Sequence, residues 1–295
     1  MAAELIYGKN IAAAIQSELA ETIQQLKSQG VVPGLVTILV GEDPASQSYV
    51  RAKNNTARVL GIHSEQRNLP TDTSEQELLA LIAACNRDPA IHGILVQLPL
   101  PGQINEAKIL ASIDPAKDVD GFHPVNVGKM VLGEPCLLPC TPHGIVELLL
   151  RSGVEVTGAE VVVVGRSNIV GKPVANLLIQ KRQGGNATVT LCHTRTKDMA
   201  FHTRRADILI VAAGVPKMIT ADMVKEGAVV IDVGVNRIGM SESGKAILAG
   251  DVDFAGVAEK VRAITPVPGG VGPMTITMLM HNTVQAAKTA AGIQL

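Results

Sequence analysis

Apolar and polar positions along the first half of the chain form blocks that predict alternating strands and helices. Between residues 11 and 29 the large apolar residues recur every three or four positions, which predicts a helix that ends at Gly30. Apolar or β-prone runs predict strands at 35–40, 63–68 and 91–97. Helices are predicted between them at 44–61 and 74–85. This alternation predicts an α/β layer with a parallel sheet.

The second half repeats the alternation. Strands are predicted at 161–164, 187–192, 208–211 and 229–233, with a helix at 171–180. These units indicate a Rossmann-like, doubly wound sheet of the kind that binds nucleotides. The predicted fold is therefore α/β with two domains, an N-terminal α/β domain over 1–140 and a Rossmann-like domain over 141–273. We expect the C-terminal helix, 274–295, to pack back on the first domain.

Composition excludes several classes of protein. Of 295 residues, 46 % are hydrophobic and 18 % charged, which is ample for a buried core and excludes general disorder. A net charge of −1 and an aromatic content of 2 % predict neither a nucleic-acid nor a membrane partner. The four cysteines lack zinc-like spacing and no secretory signal precedes them, so we expect reduced thiols, no metal site and a cytoplasmic location.

Tyr49 and Lys53 lie four residues apart inside a predicted helix. Asp43 and Pro44 suit the cap and the first turn of that helix, because the carboxylate accepts a free backbone N–H and proline lacks one. Residues four apart share a helix face, so the phenol and the amine point the same way. Such a pair can bind a flat molecule and move protons near it. The alternative is an amphipathic helix with a solvated lysine.

A glycine turn joins the predicted strand at 161–164 to the next predicted helix. Gly165 permits a tight turn, and the helix start at Gly171 offers backbone N–H groups and a positive dipole end to phosphate. Ser167 stands where the usual G-x-G-x-x-G pattern has its second glycine. Alone, the turn could be a plain strand–helix connection. The surrounding alternation favours a dinucleotide site.

The residues after the second predicted strand of this half favour NADP over NAD. NAD sites usually place a carboxylate there to bond the ribose hydroxyl. Here Cys192 is followed by His193, Thr194 and Arg195, with no acid. Thr194, Arg195 and Arg166 could meet a ribose phosphate, because guanidinium groups donate two charge-assisted bonds to it. The alternative is that the arginines are solvated surface charges.

Family resemblance favours one of the enzyme classes that these features leave open. A Tyr-x₃-Lys pair also occurs in short-chain dehydrogenases, but there the glycine loop comes first, so that family is a poor match. Six stretches, in order along nearly the whole chain, resemble the bifunctional methylenetetrahydrofolate dehydrogenase/methenyltetrahydrofolate cyclohydrolase family. They are residues 40–53, Gly93 to Pro101, Lys117-Asp118-Val119-Asp120-Gly121-Phe122, Pro139-Cys140-Thr141-Pro142, Gly165 to Pro173, and Pro268-Gly269-Gly270-Val271-Gly272-Pro273-Met274-Thr275.

The resemblance implies NADP-dependent oxidation of 5,10-methylenetetrahydrofolate, hydrolysis of the methenyl product to 10-formyltetrahydrofolate, and a homodimer. Residues 1–140 then form the folate-binding catalytic domain. The implied catalytic residues are Lys53 as the catalytic lysine, Tyr49 against the folate, Gln97 as its hydrogen-bonding neighbour and Asp120 as the acid that binds the pterin. The implied substrate-binding set adds Leu98, Pro99, Pro268, Gly269 and Gly270. The implied cofactor set is Gly165, Arg166, Ser167, Gly171, Thr194, Arg195 and Val235.

Three rivals remain open at this point. A nucleotide-linked dehydrogenase acting on a small carbonyl or hydroxy acid would need a general acid, for which no matched set is present. A non-catalytic NADP sensor would have no need of Lys53 or Gln97, yet the chain has both. The third rival is a dehydrogenase with negligible cyclohydrolase activity. The presence of Lys53 argues against it but leaves it open.

Overall fold

The structure, a computed structural model, describes residues 3–241 and 246–293. The strands are β1 Glu4–Leu5, β2 Gly34–Val40, β3 His63–Leu69, β4 Gly93–Val96, β5 Glu160–Val164, β6 Thr188–Cys192, β7 Ile208–Val211, β8 Val229–Asp232, β9 Asn236–Met240, β10 Ala246–Ala249 and β11 Ala263–Ile264. The helices are α1 Gly8–Ser28, α2 Pro44–Leu60, α3 Glu75–Arg87, α4 Glu106–Leu110, α5 Pro124–Leu132, α6 Cys140–Arg151, α7 Gly171–Ile179, α8 Met199–Thr203, α9 Phe254–Ala258 and α10 Val271–Ala290.

The chain divides into two compact units. The first unit holds Ala14 to Cys140 and the C-terminal residues from Ile276, and the second unit holds Thr141 to Thr275 and the N-terminal residues up to Ala13. The sequence assigned residues 1–13 to the N-terminal domain. Residues 3–13 group with the second unit by their contacts, because β1 pairs with β11 there. No periodic pattern marks this two-residue strand.

The first unit is built on a three-stranded parallel sheet in the order β3-β2-β4. Every residue of the central strand β2 is buried, as the continuous apolar run predicted. Asp43 caps α2 by accepting the Ser46 N–H at 2.7 Å, and Gly61 ends it in the left-handed conformation, with φ of +82°. Both ends of the helix that carries Tyr49 and Lys53 are thus fixed by local sequence, as predicted.

A polar network also fixes α2 against the sheet. Asn54 is 2 % exposed, and its Oδ1 accepts from Thr37 on β2 at 3.1 Å and from Ser64 on β3 at 2.9 Å. Its Nδ2 donates to Gln66 Oε1 at 2.7 Å. These bonds set the rotation of α2, so the neighbouring residue Lys53 has a defined direction.

The second unit is built on a six-stranded parallel sheet in the order β1-β11-β8-β7-β5-β6. This is a doubly wound order, with its reversal at β5, so the predicted Rossmann-like sheet is confirmed. Val161, Val163, Leu209 and Val230 are buried to 1 % or less and lie at the centre of this sheet. The antiparallel pair β9–β10 stands apart from the sheet and was not predicted.

Helix α10 begins at Val271, three residues before the predicted start. Pro273 is compatible with this, because a proline in the first helical turn sacrifices no intrahelical hydrogen bond. Within the first unit, Asn282 of α10 donates to the backbone oxygens of Val119 and Leu138, both at 2.8 Å. This helix therefore contacts the segments on either side of Asp120.

Candidate active site

Lys53 and Gln97 meet in the first unit. Lys53 Nζ donates to Gln97 Oε1 at 3.1 Å, and Gln97 Nε2 donates to the Leu98 carbonyl oxygen at 2.7 Å. Lys53 is only 8 % exposed, although it carries an amine. Gln97 directly follows β4, and its N–H bonds the Ile38 oxygen of β2 at 2.9 Å. The contact therefore joins α2 to the carboxyl end of the sheet, where parallel sheets bind ligands.

Tyr49 lies one helical turn before Lys53 and is 45 % exposed. Its ring is accessible to a ligand, as expected of a residue that is predicted to lie against a flat substrate. Leu98 and Pro99 follow Gln97 and are joined by a cis peptide bond. The structure thus brings the predicted residues at 97–99 to the strand end that Lys53 reaches.

Asp120 carries a perturbed carboxyl group close to Lys53. Burial raises the pKa of Asp120 to about 6, the positive charge of Lys53 opposes this, and the negative charge of Asp118 adds to it. Gly121 has φ of +73°, and a Cβ there would overlap the backbone at Leu138 and Pro139. Glycine at this position is what allows the Asp120 turn to lie against that segment.

Asp118 has a structural role, in contrast to Asp120. It is 1 % exposed, and its carboxylate accepts three hydrogen bonds: from the N–H groups of Phe122 at 3.2 Å and His123 at 2.8 Å, and from Asn126 Nδ2 at 2.9 Å. These bonds tie the 118–121 turn to the start of α5. Burial raises the pKa of Asp118, and the three donors oppose that rise.

Asp118→Ala should lower the free energy of unfolding by about 2 kcal/mol, because three donors lose their acceptor in a buried place. Urea unfolding monitored by circular dichroism measures this. Asp72→Ala, at an exposed loop position, is the matched control and should stay within about 0.5 kcal/mol of the unsubstituted chain. A stability equal to that of the control would remove Asp118 from the framework of the turn.

The glycine turn of the second unit adopts the conformation that the sequence predicted. Gly165 has φ of +120°, and a Cβ there would overlap the Ala212 carbonyl oxygen. A Cβ on Gly171 would overlap the Gly165 oxygen. Neither position accepts a side chain, so glycine is what allows this turn to pack against Ala212 and α7 to begin against Gly165.

Ser167 changes the predicted donor set of this turn. Its Oγ accepts from the N–H groups of Val170 at 3.1 Å and Gly171 at 3.3 Å. Two of the N–H groups expected to face phosphate are therefore bonded within the turn. The serine, which stands in the place of the second glycine of the usual pattern, thus ties the turn to the start of α7.

Arg166, Thr194 and Arg195 lie at one edge of the sheet. Arg166 follows β5 by two residues and Thr194 follows β6 by two, and these strands are paired at Val164 and Cys192. All three side chains are exposed. In the part of the chain that the structure describes, neither arginine forms an ion pair with a carboxylate. Their positive charge is available to an anionic ligand.

The remaining predicted residues of the second unit lie in two loops. Val235 follows β8 and is 47 % exposed. The 268–270 loop is held against the start of α1, where the Lys9 N–H donates to the Gly269 oxygen at 3.2 Å. Gly269 has φ of +105°, which only glycine adopts readily. Among the described residues there is no cluster of three His, Cys, Asp or Glu side chains that could hold a metal ion.

Two family models together match most of the chain. The catalytic-domain model of tetrahydrofolate dehydrogenase/cyclohydrolase matches residues 6–120, and the NAD(P)-binding-domain model matches residues 139–291. The chain belongs to the tetrahydrofolate dehydrogenase/cyclohydrolase family. The resemblance seen in the six sequence stretches is thereby confirmed, as is the two-domain α/β fold.

Similar proteins of this family are found in bacteria and eukaryotes. The bifunctional protein FolD of Syntrophus aciditrophicus is 67 % identical over 99 % of this chain and 100 % of its own length. The solved FolD methylenetetrahydrofolate dehydrogenase/cyclohydrolase of Campylobacter jejuni is 50 % identical, with a TM-score of 0.91 over 98 % of this chain and 99 % of that one. The Trypanosoma brucei enzyme, solved with NADP cofactor and inhibitor, is 40 % identical, with a TM-score of 0.93 over 99 % of both chains.

Two side chains beside the family's candidate site were given no role by the sequence. Cys140 is buried, its Sγ donates to the Val119 oxygen at 3.2 Å, and burial with the nearby Asp120 charge raises its pKa well above the usual thiol value. Asn282 is 2 % exposed among the apolar residues of α10. A lone asparagine in a buried helical face was the available signal, because such an amide needs partners.

Proposed function

We propose that this chain oxidises 5,10-methylenetetrahydrofolate with NADP and hydrolyses the methenyl product to 10-formyltetrahydrofolate. The observation that carries this proposal is the contact between Lys53 Nζ and Gln97 Oε1 beside the perturbed Asp120 carboxyl, in a chain of this enzyme family. The glycine turn and the exposed Arg166 and Arg195 of the second unit fit a phosphorylated dinucleotide. The described helices include none that is long and apolar enough to cross a membrane.

The oxidation step needs positioning more than acid–base chemistry. The hydride leaves a methylene carbon between two nitrogens, whose lone pairs stabilise the cation that forms. NADP, when bound, accepts that hydride. The protein contributes Tyr49 as a surface for the folate and Asp120 as the acceptor for the paired N–H groups of the pterin, since an ionised carboxylate only accepts hydrogen bonds.

The hydrolysis step must move protons. Water adds to the methenyl carbon, and the amine of Lys53 takes the proton that this water loses. The adduct then opens: the bond between that carbon and N5 breaks, the hydroxyl proton moves to N5, and the formyl group stays on N10. Gln97 Oε1 directs the amine without adding a charge beside it.

Arg166→Ala should raise the KM for NADP about tenfold and change the KM for NAD little, because only NADP carries the phosphate that the guanidinium would bind. Initial rates of the oxidation with each cofactor measure this. Arg87→Ala, at an exposed position on α3 in the first unit, is the control. If Arg166→Ala leaves the preference for NADP unchanged, the phosphate contact belongs to Arg195 and Thr194.

The proposal is tested by NADP reduction with 5,10-methylenetetrahydrofolate, followed by an acid shift that reconverts formyl product to the methenyl chromophore. Rapid reduction with formyl product supports both activities. Reduction that stops at the methenyl species would remove the cyclohydrolase and the role of Lys53. If the chain binds NADP but does not reduce it, the result would favour the non-catalytic NADP sensor over the enzyme.

The family resemblance also motivates proposals about assembly and location. We propose a homodimer, for which light scattering after gel filtration should give twice the chain mass of 30.8 kDa. A mass equal to one chain would refute it.

We propose a cytoplasmic location, in keeping with four cysteines that form no disulfide. Cell fractionation tests that location.

A further inference from the structure

Two buried carboxylates lie where the strands β7 and β8 of the second unit end. Asp232 is the last residue of β8 and is 3 % exposed, and Asp251 follows β10 by two residues and is fully buried. The chemistry described above uses neither of them. Buried carboxylates are costly unless several donors satisfy them, so their partners indicate what they hold in place.

Asp251 binds the loops that follow both strands. Its Oδ2 accepts from the N–H groups of Ala213 at 2.7 Å and Gly214 at 2.8 Å, in the loop after β7. Its Oδ1 accepts from Asn236 Nδ2 at 2.8 Å, and Asn236 is the first residue of β9, directly after Val235. One side chain thus bonds both the backbone of the loop after β7 and the side chain of Asn236, at the end of the connection from β8 to β9.

Asp232 in turn fixes Asp251. Its Oδ1 accepts from the N–H groups of Asp251 at 2.9 Å and Gly234 at 3.0 Å, and its Oδ2 accepts from Val252 at 3.0 Å. Burial raises the pKa of Asp232 to about 6, and the charge of Asp251 adds to that rise. A Cβ at Gly234 would overlap the Asp251 carboxylate, and one at Gly250 would overlap that of Asp232. The glycines leave the space that the pair requires.

The topology of the sheet says which half of a dinucleotide these loops would face. In a doubly wound sheet the pyrophosphate lies at the first strand–helix turn, here Gly165, and the adenosine ribose lies toward the end of the second strand, here β6. The nicotinamide half then extends to the other side, where β7 and β8 end. Gly165 already lies against Ala212, at the start of the loop after β7.

We propose that Asp251 is a positioning residue for hydride transfer. It holds the Ala213–Gly214 backbone and the Asn236 side chain, and the segments that carry them form the walls against which the nicotinamide ring is seated. This inference rests on the proposed use of NADP. The proposed role goes beyond stabilising the loops. It predicts that a change at Asp251 affects the binding of the nicotinamide half of the cofactor and not of the adenosine half.

Asp251→Asn tests the proposal, because it keeps the shape but turns one acceptor into a donor that faces another donor. The KM for NADP should rise about tenfold and the kcat of oxidation should fall. The dissociation constant of 2′,5′-ADP, which lacks the nicotinamide half, should stay unchanged. The cyclohydrolase rate of the same preparation should also stay unchanged. Asp253→Asn, at a helix start where the side chain makes no capping bond, is the matched control.

Other results would overturn the assignment. Equal losses of affinity for NADP and 2′,5′-ADP would make Asp251 a general structural residue, and an unchanged KM and kcat would remove it from the site. Should Asp251→Asn fail to fold, Asn236→Ala removes one of the same contacts and must lower the oxidation rate with 2′,5′-ADP affinity unchanged. If the unsubstituted chain binds no NADP, the proposed function itself fails, which is a different result.

Discussion

Lys53→Met should lower the cyclohydrolase rate by a factor of about 100 to 10,000 while measurable hydride transfer persists. Loss of a general base costs an enzyme on that order. Methionine keeps most of the volume and the unbranched shape of lysine, so the buried position stays filled. Only the amine that donates to Gln97 Oε1 is lost. The oxidation step uses no base, which is why the two activities of the chain should separate.

Both rates are measured on one preparation, through NADP reduction and through decay of the methenyl chromophore. Lys108→Met is the matched control, because Lys108 lies on α4 in the same unit and is exposed. Its ion pair with Glu75 is exposed to solvent and contributes little to stability, so both rates should be kept. Intact hydrolysis in Lys53→Met would refute the base assignment, and equal loss of both rates would make Lys53 a folate-binding residue only.

Local sequence patterns predicted the framework of the fold well, for reasons visible at single residues. Asp43 with Pro44 starts α2 as expected, and a capping box of Ser74 with Glu77 starts α3 where a helix was predicted, because these interactions lie within one helical turn. The runs that became β2 and β5 are buried on both faces, which leaves a continuous apolar signal.

The errors arose where long-range pairing decides the structure. Glu4–Leu5 is too short and too polar to read as a strand, yet it pairs with β11, more than 250 residues away. The antiparallel β9 and β10 are largely exposed, so neither gives a buried run. Short elements of this kind take their conformation from their partners, and propensity alone does not predict them.

The residues of the candidate site divide in the same way, into those that local patterns placed and those that long-range contacts bring together. Helical spacing placed Tyr49 beside Lys53, whereas the reach of Lys53 to Gln97, 44 residues on, came from the family resemblance. Asn282 contacts the Val119 oxygen across 163 residues, and Asp251 contacts Ala213 across 38. No periodicity connects such positions, so these polar residues went unassigned until the fold brought them together.

Asp120→Ala should weaken the binding of 5,10-methylenetetrahydrofolate roughly 100-fold and leave the dissociation constant of NADP unchanged. Charge-assisted hydrogen bonds from two pterin N–H groups to one carboxylate are worth about 3 kcal/mol together, which corresponds to that factor. Isothermal titration calorimetry measures both constants. Asp72→Ala, the exposed control, should bind both ligands normally.

The same carboxylate should make folate binding depend on pH. The pKa of Asp120 is raised to about 6, so the ionised acceptor predominates above that pH and is lost as the pH falls through it. Folate affinity should therefore fall between pH 7 and pH 5 in the unsubstituted chain. The Asp120→Ala variant should lack that part of the pH dependence, because it has no carboxyl group to titrate.

Urea unfolding shows whether the weaker folate binding of Asp120→Ala comes from a folding defect. A carboxyl group whose pKa is raised in the folded state stabilises the fold below its unfolded pKa of about 3.9, and that stabilisation is lost as the pH rises through about 6. At pH 8 the ionised Asp120 therefore disfavours the folded protein, so Asp120→Ala should unfold at no lower urea concentration than the unsubstituted chain. Weakened folate binding in so stable a variant places Asp120 on the ligand, whereas a normal folate dissociation constant would remove it from the site.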